Sequence, residues 1–141
     1  MSVIKSDRKD SRAEYVEQTR KLVIEISRIV ANKPKKYKEN FGDHLIKTSL
    51  EALELVQTAN TIYLRKETPQ QDRDFRRTCL IKAKAKIQHV STVNYIFLEL
   101  CRNQDGIKGE KIAKGEAKIG KMCGEIVSLI NGVIKSDKNW L

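Results

Sequence analysis

The chain has 141 residues, of which 40% are hydrophobic, 33% charged and only 6% aromatic. This composition predicts one soluble helical domain, and with just two prolines it disfavours a β-sandwich. No apolar run approaches the roughly 18 residues of a membrane span, and the first residues lack the apolar stretch of a signal peptide, so we expect a cytoplasmic protein.

The charge is strongly positive, with 28 Lys and Arg against 18 Asp and Glu and a net charge of +10. Such a field attracts polyanions, which ranks nucleic acid first as a partner, an acidic protein second and an anionic membrane surface third. The alternative is that the charge binds no partner and only keeps the protein dispersed in solution. The odd number of cysteines, Cys79, Cys101 and Cys123, argues against a disulfide framework and indicates reduced core residues.

Residues 1–10 are polar and mixed in charge, and we expect a flexible leader there. Helix 1 is predicted to begin at Asp10 or Ser11, either of which can cap it, and to end near Asn32. Apolar positions on one wide face indicate neighbours on two sides. These positions are Tyr15, Thr19, Leu22, Ile26 and Ile29, with Val16, Val23 and Val30 beside them.

A lysine-rich break follows helix 1. Pro34 disfavours helical geometry at the residue before it and lacks an N–H donor. The basic residues of this corner are Lys33, Lys35, Lys36 and Lys38. Two interpretations stay open: a solvated connector, or a corner that contacts phosphates while Tyr37 stacks on a base.

Helix 2 is predicted over about 40–66. Its inner face consists of Leu45, Ser49, Ala52, Val56, Ala59 and Tyr63, widened by Ile46, Leu50 and Leu53. Asn60 beside this face is expected to fix the register of the helix through a partner. His44 has no second ligand at metal-binding spacing, so we interpret it as a surface or capping histidine.

Helix 3 is predicted over about 69–103, with Thr68 as N-cap and Pro69 at the first helical position. A three-four repeat predicts a bundle seam at Leu80, Ala83, Ile87, Val90, Asn94, Phe97 and Cys101. The first half is nearly unbalanced in charge, which favours polyanion contact over a solvated face. Its basic residues are Arg73, Arg76, Arg77, Lys82, Lys84 and Lys86, and His89 is expected on the outer side.

Helix 4 is predicted over about 108–136, after a turn at residues 103–106. Its inner face is Ile112, Ile119, Cys123, Ile126, Ile130 and Val133, and a separate face carries Lys111, Lys114, Lys118 and Lys121. Gly115, Gly120 and Gly124 predict close approach of a neighbouring helix or of another subunit. Residues 137–141 form a tail whose Trp140 and Leu141 either fold back or meet a partner.

The four helices predict an all-α fold, an antiparallel up-down four-helix bundle over residues 11–136. No nucleotide-binding loop, hydrolase elbow or zinc-ligand spacing occurs in the sequence. We therefore expect neither an enzyme nor a cofactor nor a metal site, and the fourteen lysines and arginines named above are the predicted nucleic-acid contacts.

The order of these signals resembles a known family. Its marks are the Pro34–Lys38 corner, the Phe41–Asp43 segment, the Leu-Glu-Ala-Leu-Glu-Leu stretch of helix 2 ending in Ala59-Asn60, and Ile119–Met122. They resemble the accessory variability determinant proteins of diversity-generating retroelements. This family is related to the four-helix proteins encoded in intervening sequences of 23S ribosomal RNA genes.

The resemblance implies a homopentameric barrel with a basic exterior and no active site of its own. Such proteins bind the element's reverse transcriptase and its template RNA, with DNA as a further ligand, and support mutagenic copying of a template repeat. The chain departs from the family late in helix 3, where it carries Ser91, Thr92 and Asn94 in place of aromatics and arginines. The alternatives are a structural adaptor for an acidic protein, or a protein of the ribosomal intervening-sequence type.

Overall fold

The computed structural model describes residues 2–102, 104 and 106–140, without the side chains of residues 2–13 and 140. Four long helices are joined by short segments, and the described residues contain no strand. The elements are α1 (Ser2–Ala31), α2 (Lys35–Tyr37), a π-helical turn (Lys38–Gly42), α3 (Asp43–Asn60), α4 (Gln70–Cys101), α5 (Gly109–Asp137) and a terminal 3-10 turn (Lys138–Trp140). The predicted all-helical class is confirmed.

Each long helix packs against two of the others. α1 and α4 both contact α3 and α5, so the four helices form a closed ring around one core. This arrangement is that of a four-helix bundle, in which each helix needs an apolar stripe wide enough for two neighbours.

The core confirms most of the predicted inner faces. The seven seam positions of α4 are all buried, because a three-four spacing keeps them on one side of the helix. On α1 the buried side chains include Tyr15, Leu22 and Ile26, and on α5 every predicted inner residue is buried except the half-buried Val133. All three cysteines are free and buried, as predicted.

Several predicted helix boundaries were wrong. α1 begins at Ser2 and not at Asp10 or Ser11, since no Pro or Gly interrupts the polar residues before Ser11. α3 ends at Asn60, six residues before the predicted end, and Tyr63 beyond it is 65% exposed, not part of the inner face. Leu50, predicted to widen that face, is 48% exposed.

The start of α4 also differs from its prediction. The helix begins at Gln70 with Pro69 as its N-cap residue and no side-chain cap. The Thr68 hydroxyl instead accepts the Arg65 N–H at 2.8 Å and donates to the Tyr63 carbonyl at 3.0 Å. Thr68 therefore closes the preceding turn instead of capping the helix.

The turn between α4 and α5 lies partly outside the described residues, which include neither Asn103 nor Asp105. Gly106 there has φ of 73°, a left-handed conformation that glycine adopts without strain. At the other end, the Trp140 side chain and Leu141 are not described, so the prediction that they fold back or meet a partner stays untested. In the described part of the chain, no helix combines the length and apolarity needed to cross a membrane.

Candidate nucleic-acid interface

The lysine-rich corner after α1 lies beside the first turn of α5. Lys33 is half-buried, and burial lowers the pKa of its ammonium, as does the positive charge of Lys111 to a smaller extent. The segment that follows, α2 and the π-helical turn, contacts α4. The structure thus brings together two basic groups that are more than seventy residues apart in sequence. We call this group, Lys33, Lys35, Lys36, Lys38 and Lys111, the basic end.

Most charges of the basic end remain available to a ligand. Lys36 and Lys111 are exposed and form no ion pair among the described residues, whereas Lys35 reaches Glu39 at 3.8 Å, a pair open to solvent. Lys38 donates to the Ala31 carbonyl at 3.2 Å and so binds the last turn of α1. An exposed pair of the Lys35–Glu39 kind contributes little to stability and exchanges readily with a phosphate.

Tyr37 does not stand free as a stacking platform. Its half-buried ring packs against the core, and the Lys36 ammonium lies 5.4 Å from the ring centroid. Phe41 packs against the same core. The aromatic of the corner therefore anchors it, and the lysines are the groups that the corner presents to solvent.

The predicted basic patch of α4 is divided by its contacts. Arg76 is only 13% exposed in its side chain and bonds Asp137 at 2.7 Å, and it also donates to the carbonyls of Ala59 at 2.8 Å and Ile62 at 3.1 Å. The guanidinium thereby ties the end of α3 to α4 and α5. Its internal bonds leave little of it for a phosphate.

Arg73 is held in a similar way. It donates to the carbonyls of Thr68 and Lys66 at 2.9 and 3.4 Å, and to that of Arg65. Backbone oxygens that follow the end of α3 are thus satisfied by two arginines of the next helix. Arg73 and Arg76 both belonged to the predicted nucleic-acid contacts, but in the structure their guanidinium groups bond other groups of the same chain.

The remaining basic residues of α4 point to its two flanks. Lys86 reaches Glu51 of α3 at 3.5 Å, and Lys84 donates to the Asn131 amide oxygen of α5 at 2.9 Å. Lys82 and Arg77 form no ion pair among the described residues, the first exposed and the second half-buried. By helical spacing, Arg77 lies on the flank of Lys84, and Lys82 lies on the flank of Lys86. These four residues therefore do not form one surface.

The lysines of α5 lie on its exposed side, as the spacing predicts. Lys114 pairs with Glu110 at 3.4 Å and Lys118 with Glu25 of α1 at 3.1 Å, while Lys121 has no ion pair in the described part of the chain. Both pairs are partly or largely exposed, and exposed pairs are weak. Lys114, Lys118 and Lys121 extend the positive surface from the basic end along α5.

The two histidines, one interpreted as a surface or capping residue and the other expected on the outer side, meet between α3 and α4. The Nε2 atoms of His44 and His89 are 2.9 Å apart, with the rings at 88°. Because 45 residues separate them, no local spacing could have revealed the pair. Groups of three or more metal-ligating side chains are absent from the described residues.

Comparison of the chain with protein-family models, with curated proteins and with solved structures finds no match.

Proposed function

We propose that this chain is a non-enzymatic accessory protein of a diversity-generating retroelement, a cytoplasmic protein that binds template RNA or its cDNA and the reverse transcriptase. The retroelement role is supported only by the resemblance of the sequence, above all the Pro34–Lys38 corner and the Ala59-Asn60 end of α3. Binding of nucleic acid is supported by a physical observation: the juxtaposition of Lys33 with Lys111 at the basic end.

The charge of the basic end favours a polyanion over a compact anion. Among the described residues, the only carboxylate paired with any of its five lysines is that of Glu39, and these lysines continue into the exposed lysines of α5. A row of ammonium groups on flexible stems contacts phosphates without reading bases, and each contact releases counterions from the nucleic acid. We therefore expect the affinity for nucleic acid to fall steeply with salt concentration and to depend little on nucleotide sequence.

An up-down, antiparallel order of the helices is part of the proposal. It is supported by pairs of contacting residues whose residue numbers rise along one helix while they fall along the next. Between α3 and α4 these are Ala59–Arg76, Glu51–Lys86 and His44–His89, and between α4 and α5 they are Arg76–Asp137, Lys84–Asn131 and Arg102–Glu116.

Assembly into a homopentamer is likewise proposed, and two features support contact with further chains. Large apolar side chains are exposed on α4, among them Phe75, Tyr95 and Ile96 at 52%, 56% and 41%. On α5, Gly120 and Gly124 are exposed with no heavy atom near the place of a Cβ. Exposed apolar groups of this kind are common where proteins bind one another. An acidic protein as partner is the second candidate function.

The nucleic-acid contact is tested by a pair of double charge reversals. Lys36→Glu with Lys111→Glu alters the basic end, and Lys21→Glu with Lys47→Glu makes the same change of charge at two exposed lysines outside the predicted contacts. Affinity for a fluorescent structured RNA is measured by anisotropy over a range of salt. We expect the first variant to bind far more weakly and its log-log salt slope to shrink by about 2, since each lost phosphate contact removes about 0.7–0.9.

Equal losses in the two variants would show that net charge alone attracts RNA, and would contradict the basic end as the site. Light scattering on the same samples measures assembly, for which a species near five times 16.2 kDa is expected. A monomer that ignores RNA at low salt would overturn the retroelement role and leave the adaptor for an acidic protein.

A further inference from the structure

The pair of histidines between α3 and α4 has the geometry of a chelate. His44 lies in the first turn of α3 and His89 in the middle of α4, and both rings are exposed to solvent. Their Nε2 atoms are 2.9 Å apart and the ring centroids 5.1 Å. Without a bound ion, one ring donates its Nε2–H to the other, so the two nitrogens already face each other.

The distance between the nitrogens selects a type of metal. Imidazole nitrogens bind transition metals at about 2.0–2.1 Å, so two that bind one ion at a right angle lie about 2.9 Å apart, against about 3.4 Å at a tetrahedral angle. The observed 2.9 Å is the length of the N–H···N hydrogen bond, and it equals the separation at the right angle, so an ion that replaces this proton needs only a turn of each ring to aim its lone pair. Right angles between nitrogen ligands are typical of square-planar or tetragonal Cu²⁺ and Ni²⁺.

We propose that His44 and His89 form a two-histidine site for Ni²⁺ or Cu²⁺ that bridges α3 and α4. Each ring binds through the lone pair of Nε2, which requires the ring that donated to carry its proton on Nδ1 instead. Water completes the coordination, since no third histidine, cysteine or carboxylate joins the two rings among the described residues. The Thr48 hydroxyl, 3.5 Å from His44 Nε2, lies close enough to hold such a water.

The surrounding charges limit the affinity but do not abolish it. Lys86 lies one turn before His89, and its ammonium is paired with Glu51 at 3.5 Å. Lys47 lies one turn after His44 and is exposed. The site differs from the basic end, which attracts anions, and its existence does not depend on the role in a retroelement.

Calorimetric titration of the full chain with Ni²⁺, near neutral pH and without an affinity tag, tests this site. We expect one Ni²⁺ per chain, and affinity at least about tenfold weaker in His44→Gln and in His89→Gln, because each variant loses the chelating partner. Lys47→Gln is the matched control on the same face and should bind Ni²⁺ at least as tightly as the unmodified chain, because it removes a nearby positive charge and no ligand. All variants keep the three cysteines, so binding to thiols would persist in each of them.

A thermal unfolding curve with and without Ni²⁺ gives a second readout, since an ion that binds only the folded chain raises the melting temperature. The rise should disappear in both histidine variants and remain in Lys47→Gln. Unchanged Ni²⁺ binding by the double variant His44→Gln/His89→Gln would overturn the site. One Ni²⁺ per two chains would also overturn it, because the ion would then join two molecules and not two helices.

Discussion

Arg76 connects all four long helices at one end of the bundle. Its guanidinium bonds Asp137 of α5 and the carbonyls of Ala59 and Ile62 at and beyond the end of α3. The Tyr15 hydroxyl of α1 bonds the Asn60 amide oxygen at 3.3 Å and is close enough to Arg76 to interact with it. Asn60 thus has the partner that the sequence led us to expect, although Tyr15 could not be identified from spacing.

Replacement of this arginine should destabilise the fold strongly. Arg76→Ala leaves the Asp137 carboxylate without its partner and removes the donor from two carbonyls, so we expect a loss of about 3–5 kcal/mol in the free energy of unfolding. Arg77→Ala is the control, with an expected change within about 0.5 kcal/mol, because this residue has no ion pair in the described part of the chain. Urea unfolding followed by circular dichroism measures both. Equal losses would contradict the structural role of Arg76.

The Glu116 carboxyl changes its charge near neutral pH. The pKa of its carboxyl rises from 4.5 to about 7, first because it is buried and then because Glu99 accepts its hydrogen bond and repels its charge. One of its oxygens, Oε2, is buried without a partner unless it carries that proton. The Arg102 guanidinium holds the pKa of Glu99 below its usual range, so Glu99 stays the anion of the pair.

The stability of the protein should therefore fall as pH rises through this window. Between pH 4.5 and about 7 the folded chain keeps the Glu116 proton and the unfolded chain has lost it, so each step upward in pH favours unfolding. Glu116→Gln should remove the decline and be more stable than the unmodified chain above about pH 7.5, by about 1–3 kcal/mol. The contribution of Glu99 is lost only at more acidic pH, because its pKa is lowered.

Urea unfolding at a series of pH values measures this difference. Glu110→Gln is the control, since the Glu110 carboxylate is 78% exposed and pairs with Lys114 in solvent. Its pH dependence should match that of the unmodified chain. A decline that persists unchanged in Glu116→Gln would exclude the buried carboxyl as its source.

At the scale of the helices, the glycines divide into two kinds, and of the three that were predicted to allow a close approach only Gly115 lies in such a contact. A Cβ on Gly42 would lie 2.6 Å from Val30 Cγ1, and one on Gly115 would lie 3.0 Å from Leu98 Cδ1. These glycines let neighbouring elements touch. A Cβ added to Gly120 or Gly124 would meet nothing within 4 Å beyond its own stretch of helix, so neither glycine is required by the contacts described within the chain.

Alanine substitutions should separate these roles. Gly42→Ala pushes α1 away from the π-helical turn and should lower the free energy of unfolding by about 1–3 kcal/mol. Gly120→Ala should raise the stability of the isolated chain by up to about 1 kcal/mol, because alanine favours helix. Chemical unfolding measures both, and light scattering shows whether Gly120→Ala disturbs assembly. A destabilised Gly120→Ala that remains monomeric would mean that this glycine has a role within the chain.

The sequence predicts the helices better than it predicts their ends. The seam of α4 could be read directly, because six apolar positions and Asn94 keep one phase over more than five turns. The end of α3 could not, because Arg76 and Arg73, well beyond it in sequence, bind carbonyls at and beyond this end. Both arginines consequently looked like free charges in the sequence.

At the scale of the whole molecule, the charge is distributed over more than one surface. The basic end lies next to Cys101 and the start of α5, whereas Arg76 and Asp137 mark the opposite end of α4 and α5. A helix rises about 1.5 Å per residue, so roughly 35 Å separate Arg77 from the basic end. A short RNA would touch one of these regions, and only a long one would span both. The linear sequence shows how many charges there are but not this separation.

The π-helical turn at Lys38–Gly42 has a consequence for how insertions and deletions act on this chain. A π turn contains one residue more than an α turn, and each residue of a helix advances its neighbours by about 100°. Deleting one residue here would restore α geometry and swing α2 around its axis, drawing Tyr37 out of the core and re-aiming Lys35 and Lys36. The direction in which these lysines point thus depends on the number of residues in the π turn, and deletion of the uncharged Asn40 would change it without altering any charge.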